Sequence, residues 1–319
     1  MATTHTEIYR RFEGQLRPRA FRCFPLFLSQ VRVRQKKKLP LLLLYGPPAI
    51  VTIIFSFIVY SMFSLEEQFE GGGTGPNPLT DPKAAIAVAM ARSMAQQLFE
   101  VRTQIVEASL VLQLFSMLAI AWFGAGLISE DRRLGAHLLY FSRPLTKLDY
   151  FLGHFLTVGY FGLLSVLGPT LVICLVATFS SPDFAFIKEE WDVIPASIGL
   201  ALLTVTLLSS VTLAVSSVVK RKAFALIGMF GMLIGAEVGG QVLAGLTDDD
   251  RFLMIDPQNH LLRIGDWMLS IEGRPSDMAR DRITHFDWSP YLSLGVIAGL
   301  IAVALAVCWF RIRKLDGVG

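Results

Sequence analysis

The sequence contains six runs of predominantly apolar residues, each long enough to cross the hydrocarbon core of a bilayer, which takes about twenty helical residues. Only 17% of the residues are charged, whereas a soluble domain carries about a quarter. Lipid offers backbone polar groups no partners, so runs of this length cross it as helices. The sequence therefore predicts an all-α polytopic membrane protein with six transmembrane helices in one domain, residues 39–310. The runs cover residues 39–63, 108–128, 150–179, 194–219, 223–245 and 290–310.

Two of the runs contain prolines beyond their first turn, and each such proline removes one helical hydrogen bond. The Gly46-Pro47-Pro48 sequence therefore predicts a break in the first span. Gly168-Pro169 predicts a kink within the third span.

The distribution of basic residues predicts the orientation of the spans. Segments 1–38, 129–149, 220–222 and 311–319 hold 20 of the 29 Lys and Arg residues but only 6 of the 26 acidic residues. By the positive-inside rule these segments are cytoplasmic, so both termini are cytoplasmic and 311–319 is a cytoplasmic tail. The net charge of +3 follows from this orientation and does not indicate nucleic-acid binding. The extracytoplasmic segments are then about 64–107, 180–193 and 246–289.

Two segments outside the spans have helical patterns of their own. The basic segment 1–38 mixes Arg with Phe and Leu, which favours an interfacial helix with its basic side toward anionic lipid. A disordered basic tail is the alternative. An apolar stripe from Ala87 to Ile105 predicts an amphipathic helix that runs into the second span.

The sequence contains no motif that would let the chain catalyse a reaction by itself. It has no G-x-x-x-x-G-K-[ST] loop, no H-E-x-x-H, no Cys/His cluster and no G-x-S-x-G, so we expect no enzyme activity, no metal and no bound cofactor. The spans contain no Asp, which argues against an aspartyl intramembrane protease. His154, one turn into the third span, is more typical of a residue at the membrane interface than of a catalytic base.

The fifth span contains both a carboxylate and a ladder of glycines. Glu237 lies inside the apolar run at a cost of about 3 kcal/mol on insertion scales, with Gln241 one turn further. It marks either a substrate pathway or subunit interface, or a hydrogen-bonded carboxyl near the outer end. Gly231, Gly235 and Gly239 repeat G-x-x-x-G on one face and allow another helix to approach closely, within the protomer or across a dimer.

The connector between the second and third spans has the pattern of a short folded helix. Ser129 is a predicted N-cap, and Glu130 and Asp131 follow in the first turn, where the helix dipole favours acids. Leu134, Leu138 and Phe141 then share one face.

The end of this short helix is also marked. Arg143 precedes Pro144, which disfavours continuation, and Thr146 and Asp149 form a capping-box pattern that opens the third span. We therefore predict a short cytoplasmic amphipathic helix that either lies on lipid or docks a soluble partner.

The run GLISEDRRLGAHLLYFSRPLTKLDYFLGHFL, residues 126–156, resembles the signature of ABC-2-type permeases, the membrane subunits of ATP-binding-cassette transporters. Two positions depart from that pattern: His154 replaces the usual Lys, and His137 stands where Thr or Ser is common. The matching positions are Gly126, Ile128, Ser129, Glu130, Gly135, Leu138, Leu139, Ser142, Arg143, Pro144, Tyr150 and Gly153.

The resemblance implies that the connector is a coupling helix, which inserts into a cleft of the ATPase subunit and ends at Ser142-Arg143-Pro144. It also implies a homodimer that meets around the first and fifth spans, near the glycine ladder and Glu237. Two ATPase subunits would hold ATP and Mg²⁺ and drive export, or mechanical work on an extracytoplasmic accessory protein, at a bacterial inner membrane. The implied coupling residues are Glu130, Asp131, Arg132, Arg133, Leu134, Gly135, Leu138 and Phe141, with ATPase contacts expected at Glu130, Arg132, Arg133, Leu134 and Leu138.

Other functions are compatible with the same sequence. A proton-coupled secondary transporter could use Glu237 as its proton site. A membrane scaffold or signalling subunit could bind a partner through its outer acidic segments. An intramembrane enzyme is disfavoured because no nucleophile constellation is present.

Overall fold

The computed structural model of the protein describes residues 22–36, 38–70, 101–136, 145–270 and 288–314. Within these residues the chain is helical and contains no strand. Six helices are long and apolar enough to cross a membrane, so the prediction of six spans is confirmed and the chain is, by length and composition, a multi-pass membrane protein. The helices are α1 Cys23–Gln35, α2 Lys38–Glu70, α3 Val101–Leu134, α4 Lys147–Ser180, α5 Ala185–Glu189, α6 Val193–Val218, α7 Lys222–Thr247, α8 Pro257–Met268 and α9 Pro290–Arg313.

The spanning helices are α2, α3, α4, α6, α7 and α9, and several extend beyond their apolar runs. Helix α3 already begins at Val101, which agrees with a helix running into the second span, while residues 81–100 lie outside the described residues. Backbone hydrogen bonding does not stop at the edge of an apolar run, so polar residues at either end continue the helix.

Three helices form the centre of the bundle. Helices α3, α4 and α6 pack against one another, α9 packs on α6, and α2 packs on α4 and α3. Of the apolar windows, 61% is buried in α3 and 67% in α6, but only 17% in each of α2 and α7. The first and fifth spans are therefore peripheral and expose most of their apolar surface.

Small residues allow the central helices to approach closely. A Cβ added to Gly162 of α4 would lie 2.6 Å from Ile120 Cδ1 of α3 and 3.0 Å from Val205 Cγ1 of α6. A Cβ at Gly153 would lie 2.8 Å from Leu26 Cδ2 of α1. A side chain at either position would force Ile120 or Leu26 to move, so both glycines favour close packing of the helices.

The prolines do not interrupt their helices, so the predicted break at Gly46-Pro47-Pro48 is wrong. Helix α2 continues through Pro47 and Pro48, and α4 continues through Pro169. The hydroxyl of Thr52 donates to the Pro48 carbonyl at 2.7 Å, and the hydroxyl of Thr170 donates to the Val166 carbonyl at 2.8 Å. The carbonyl that a proline leaves open lies four residues before it, so these two hydroxyl bonds add to the helix beside the proline and do not replace the lost bond. Spanning helices tolerate such a loss where neighbouring helices and local adjustments compensate for it.

Helix α1 packs on the first half of α4. Leu26 is buried against Gly153, and the rings of Phe27 and Tyr160 meet edge to face with centroids 5.9 Å apart. Arg32 on the same helix is exposed. A helix is therefore present in the basic N-terminal segment, and its location in the headgroup region stays a prediction.

An ion-pair cluster closes the end of the bundle at which α3 begins. Arg102 Nη1 and Nη2 each donate to a carboxylate oxygen of Asp192 at 2.9 Å, and Nη1 also donates to the Leu269 carbonyl at 3.1 Å. Glu190 Oε1 lies 3.7 Å from Arg102 Nε. The Arg102 hydrogen bonds lower the pKa of Asp192, whereas burial raises the pKa of Glu190 although Arg102 opposes this.

A second network at this end joins α8 to α9. His260 Nδ1 lies 3.0 Å from Ser293 Oγ, and His260 Nε2 lies 2.9 Å from the Met254 carbonyl. Because a carbonyl only accepts, Nε2 carries the proton and Nδ1 accepts from the Ser293 hydroxyl. Trp288 Nε1 donates to the same hydroxyl at 3.1 Å. Burial lowers the pKa of His260, although the Met254 carbonyl opposes this.

Candidate functional site

The charged end of α3, residues 129–134, belongs to a continuous helix, so the predicted helix start at Ser129 is wrong. Ser129 is fully buried, and its hydroxyl donates to the Ala125 carbonyl one turn earlier at 2.8 Å. A serine caps a helix only where amide groups lack helical partners, and here the preceding turn supplies those partners. Glu130 to Leu134 therefore form the last part of the 34-residue helix α3.

Gly135 ends α3 in the left-handed backbone conformation, with φ of +69°. This geometry favours glycine and is typical of the residue after a helix. Leu134 is 71% exposed, Arg133 is exposed, and Ala136 is again helical. The remaining predicted coupling and helix-break residues lie outside the described residues; they are Leu138, Phe141, Ser142, Arg143 and Pro144.

Helix α4 begins with the predicted capping box, which is confirmed. Thr146 Oγ1 accepts from the Asp149 amide at 3.1 Å, and Asp149 Oδ2 accepts from the Thr146 amide at 3.1 Å. The two residues satisfy two amide groups that the first turn of any helix leaves open. The start of α4 is thus fixed by local sequence alone.

Asp131 joins the end of α3 to the start of α4. The Tyr150 hydroxyl donates to Asp131 Oδ2 at 3.0 Å, and His154 Nε2 lies 3.4 Å from the same oxygen. The Tyr150 and His154 rings meet edge to face, with centroids 4.3 Å apart. His154 is completely buried, so its interpretation as a membrane-interface residue is wrong. The contact of 3.4 Å lacks hydrogen-bond geometry, and we describe it as an electrostatic contact.

Arg132 and two serines join the end of α3 to the end of α6. Arg132 Nη1 donates to the Ser217 carbonyl. The Ser216 hydroxyl accepts from the Ile128 and Ser129 amides at 3.3 and 3.1 Å and donates to the Ala125 carbonyl at 2.8 Å. Ser216 and Ser217 were not predicted as site residues, because only their position in the last turn of one long apolar helix singles them out.

The ends of two further helices meet at the same place. Lys147 Nζ donates to the Arg313 carbonyl at the end of α9, 3.0 Å away. Lys222, the first residue of α7, places its ammonium 4.6 Å from the Trp122 ring centroid on α3. We call this region, formed by the ends of α3, α6 and α9 and the starts of α4 and α7, the basic end of the bundle.

Glu237 is the charged site residue predicted in the fifth span, and it faces into the protomer. It lines a cavity of about 260 Å³ between α3, α6, α7 and the start of α8. Gln241, one turn further, is exposed and is not among the residues that line this cavity.

The glycine ladder of α7 faces away from the protomer. A Cβ added to Gly231, Gly235 or Gly239 would meet no described atom within 4 Å. Of the two predicted uses of the ladder, packing within the protomer is therefore not seen in the described part of the chain. Packing across a dimer stays a prediction.

The residues that the structure describes form no recognisable metal site. Among those residues no three His, Cys, Asp or Glu side chains come together as a metal site. Cys23, Cys174 and Cys308 are free thiols.

A comparison with known protein families gives one match. The model of a family described as a protein of unknown function, DUF2705, matches residues 49–318. No curated protein matches the chain at a significant level.

Proposed function

The chain belongs to the DUF2705 family, whose function is unknown, and we propose that it is the permease subunit of an ATP-driven transporter of the ABC-2 type. In this proposal a separate ATPase subunit docks on the basic end of the bundle. Two such subunits supply ATP hydrolysis to two permease copies. The work done is export of a substrate, or a mechanical action on an extracytoplasmic partner.

The observation that carries the proposal is the way α3 ends. One helix runs without interruption from Val101 through the centre of the bundle to Leu134, and its last turns are charged and partly exposed. A continuous helix transmits displacement along its axis because its backbone bonds are all internal. A push on Leu134 would therefore reach the core directly.

The contacts of Asp131 and Arg132 extend this connection to two neighbouring helices. Asp131 links the end of α3 to Tyr150 of α4, and Arg132 links it to the Ser217 carbonyl of α6. The three helices joined in this way are those that form the centre of the bundle. Arg133 and Leu134, which point away from these contacts into solvent, would contact the ATPase.

The dimer in this proposal uses the peripheral helices. Helices α2 and α7 are the least buried spans, and the Gly231–Gly235–Gly239 face of α7 has room for a second helix. Close helix contact across small residues is a common way for spanning helices to associate. The cytoplasmic location of the basic end, with both termini inside, follows from the distribution of Lys and Arg and is part of the proposal.

Copurification tests the docking of an ATPase. The chain is purified from its native membranes with any bound nucleotide-binding protein, and ATP hydrolysis of the eluate is measured. We expect Arg133→Glu with Leu134→Asp to remove both the bound ATPase and the hydrolysis. Lys188→Glu, a charge reversal at an exposed residue at the other end of the bundle, is the control and should retain both. ATPase retained by the Arg133/Leu134 variant would overturn the docking assignment.

A proton-coupled secondary transporter is the second candidate, favoured by the cavity that Glu237 lines. It predicts substrate flux in liposomes that is driven by a proton gradient without any ATPase, and that is lost in Glu237→Gln. Flux that needs an ATPase and ATP would exclude it.

A further inference from the structure

A groove of about 670 Å³ lies on the surface of the bundle between α2 and the middle of α4. Its α2 wall extends from Leu41 to Ile53, which is about 18 Å along the helix axis. The groove is open to its surroundings, since Ile53 is 68% exposed and Leu164 of α4 is 45% exposed. The hydrocarbon of one leaflet is about 15 Å thick, half of the ~30 Å core of a bilayer. The groove therefore has the length of one lipid acyl chain.

The wall of the groove is hydrocarbon everywhere except at its mouth. The Tyr45 hydroxyl donates to the Phe161 carbonyl at 3.1 Å, and the Thr52 hydroxyl donates to the Pro48 carbonyl at 2.7 Å. Both hydroxyl protons are thus used within the protein, and the other lining residues apart from Gln35 are apolar. An acyl chain suits such a wall, because it makes dispersion contacts and needs no hydrogen-bond partner.

The mouth of the groove is basic. Gln35, the last residue of α1, lines the groove and donates from Nε2 to the Tyr160 hydroxyl at 3.3 Å. Lys36 follows directly, and Lys38 lies one turn before Leu41 on the same face of α2. Both lysines are exposed, so their ammonium groups are accessible to a ligand at the mouth.

The helices that form the groove carry almost no acidic residues on this side. Helix α1 contains no Asp or Glu, and α2 contains none before Glu66. Helix α4 contains only Asp149, which accepts from the Thr146 amide at the start of that helix. Arg32 of α1 is exposed as well and adds to the positive charge. A basic cluster beside an apolar surface at the membrane boundary attracts anionic lipid.

We propose that this groove binds one anionic phospholipid. One acyl chain lies between α2 and α4 against Tyr45 and Phe161, and the phosphate contacts Lys36 and Lys38. The apolar window of the first span begins at Leu44, so both lysines precede it and reach the level of the headgroups. This site goes beyond the proposed function, because it is complete within one chain and needs neither an ATPase nor a dimer.

Native mass spectrometry of the full chain in nonionic detergent tests the proposal. The chain is titrated with phosphatidylglycerol or with phosphatidylcholine of the same acyl chains, which differ in the net charge of the headgroup. We expect saturable retention of one phosphatidylglycerol per chain, and about tenfold weaker retention of phosphatidylcholine.

A charge-matched pair of variants tests the mouth. Lys36→Gln with Lys38→Gln should weaken binding of phosphatidylglycerol about tenfold or more, because both ammonium groups that face the phosphate are lost. Lys220→Gln with Arg221→Gln removes the same charge from exposed residues at the same end of the bundle but outside the groove, and should retain the wild-type affinity.

A second pair of variants tests the groove itself. Ala49→Trp places a large ring in the groove and should displace the lipid while the protein stays monodisperse and helical by circular dichroism. Ile50→Trp, at a residue that is 59% exposed and does not line the groove, should bind lipid as the wild type does.

Three results would overturn the proposal of a lipid site. The first is equal affinity of the wild-type chain for the two lipids. The second is unchanged phosphatidylglycerol binding in the Lys36/Lys38 variant or in Ala49→Trp. The third is loss of a dimer mass in Ala49→Trp with lipid binding unchanged, which would assign the groove to a second copy of the chain.

Discussion

Asp131 links the end of α3 to the start of α4 through its side chain. Its Oδ2 accepts from the Tyr150 hydroxyl at 3.0 Å and faces the buried ring of His154. The sequence singled out Asp131 for its place in the first turn of a separate helix, but in the structure it serves as a side-chain acceptor at the end of a long one. This role of Asp131 can be recognised only when the neighbouring helix is known.

The Asp131–Tyr150 pair is expected to show energetic coupling. Tyr150→Phe removes the donor and Asp131→Asn removes the charge, and each should lower the free energy of unfolding by about 1–2 kcal/mol. The double variant should lose less than the sum, with a coupling of about 0.5–3 kcal/mol, measured by denaturant unfolding in detergent. Asp131→Asn combined with Tyr45→Phe is the control and should be additive, because Tyr45 bonds to the Phe161 carbonyl far from Asp131. Additivity for Asp131 and Tyr150 as well would show that their hydrogen bond does not join the helices.

His260 is expected to make stability depend on pH. Its folded-state pKa lies below the ordinary value of 6.5, because burial disfavours the charged ring. The unfolded chain therefore binds a proton first as the pH falls, so stability is complete above pH 6.5 and declines below it. His260→Gln should flatten this decline in unfolding temperature between about pH 7.5 and pH 5.5. An equally steep decline in the variant would assign the pH dependence to other groups.

At the scale of helices, the sequence predicted those elements whose signals are local. The capping box at Thr146 and Asp149 is one example, since both partners lie within four residues. The break at Pro47-Pro48 was wrong because a proline does not by itself end a spanning helix, and its effect depends on the surrounding packing. The start at Ser129 was wrong because the N-cap pattern looks the same in two cases. Ser129 could begin a helix, or it could lie inside one whose preceding turn supplies acceptors for its amides. Burial of His154 depends on Asp131 and Tyr150 and could not be predicted from spacing.

Close approach of α3, α4 and α6 is expected to depend on Gly162. Gly162→Val would place atoms within 3 Å of Ile120 and should lower stability by about 1–3 kcal/mol through overpacking. Gly159→Val on the same helix is a matched control, because its Cβ would meet no described atom within 4 Å. The two variants are compared by thermal unfolding in detergent. Equal unfolding temperatures would mean that the helices can separate there at little cost.

For the whole molecule, three helices form the buried centre and the peripheral helices α2 and α7 lie beside it. The number of spans and their order could be predicted, because apolar length alone determines them. The predicted dimer contact on α7 agrees with the outward glycine ladder, but Glu237 faces inward and belongs to a cavity of one protomer. The direction in which a side chain points on a spanning helix depends on its neighbours, which a single sequence does not reveal.

We propose that the end of α3 receives an ATPase. A photoreactive amino acid at position 134, compared with one at the equally exposed position 179 at the other end of the bundle, tests it in native membranes. We expect position 134 to crosslink to a protein that binds ATP and contains a G-x-x-x-x-G-K-[ST] loop, and position 179 not to do so. Crosslinks from position 134 to lipid alone, or to the ATP-binding protein equally from both positions, would contradict it.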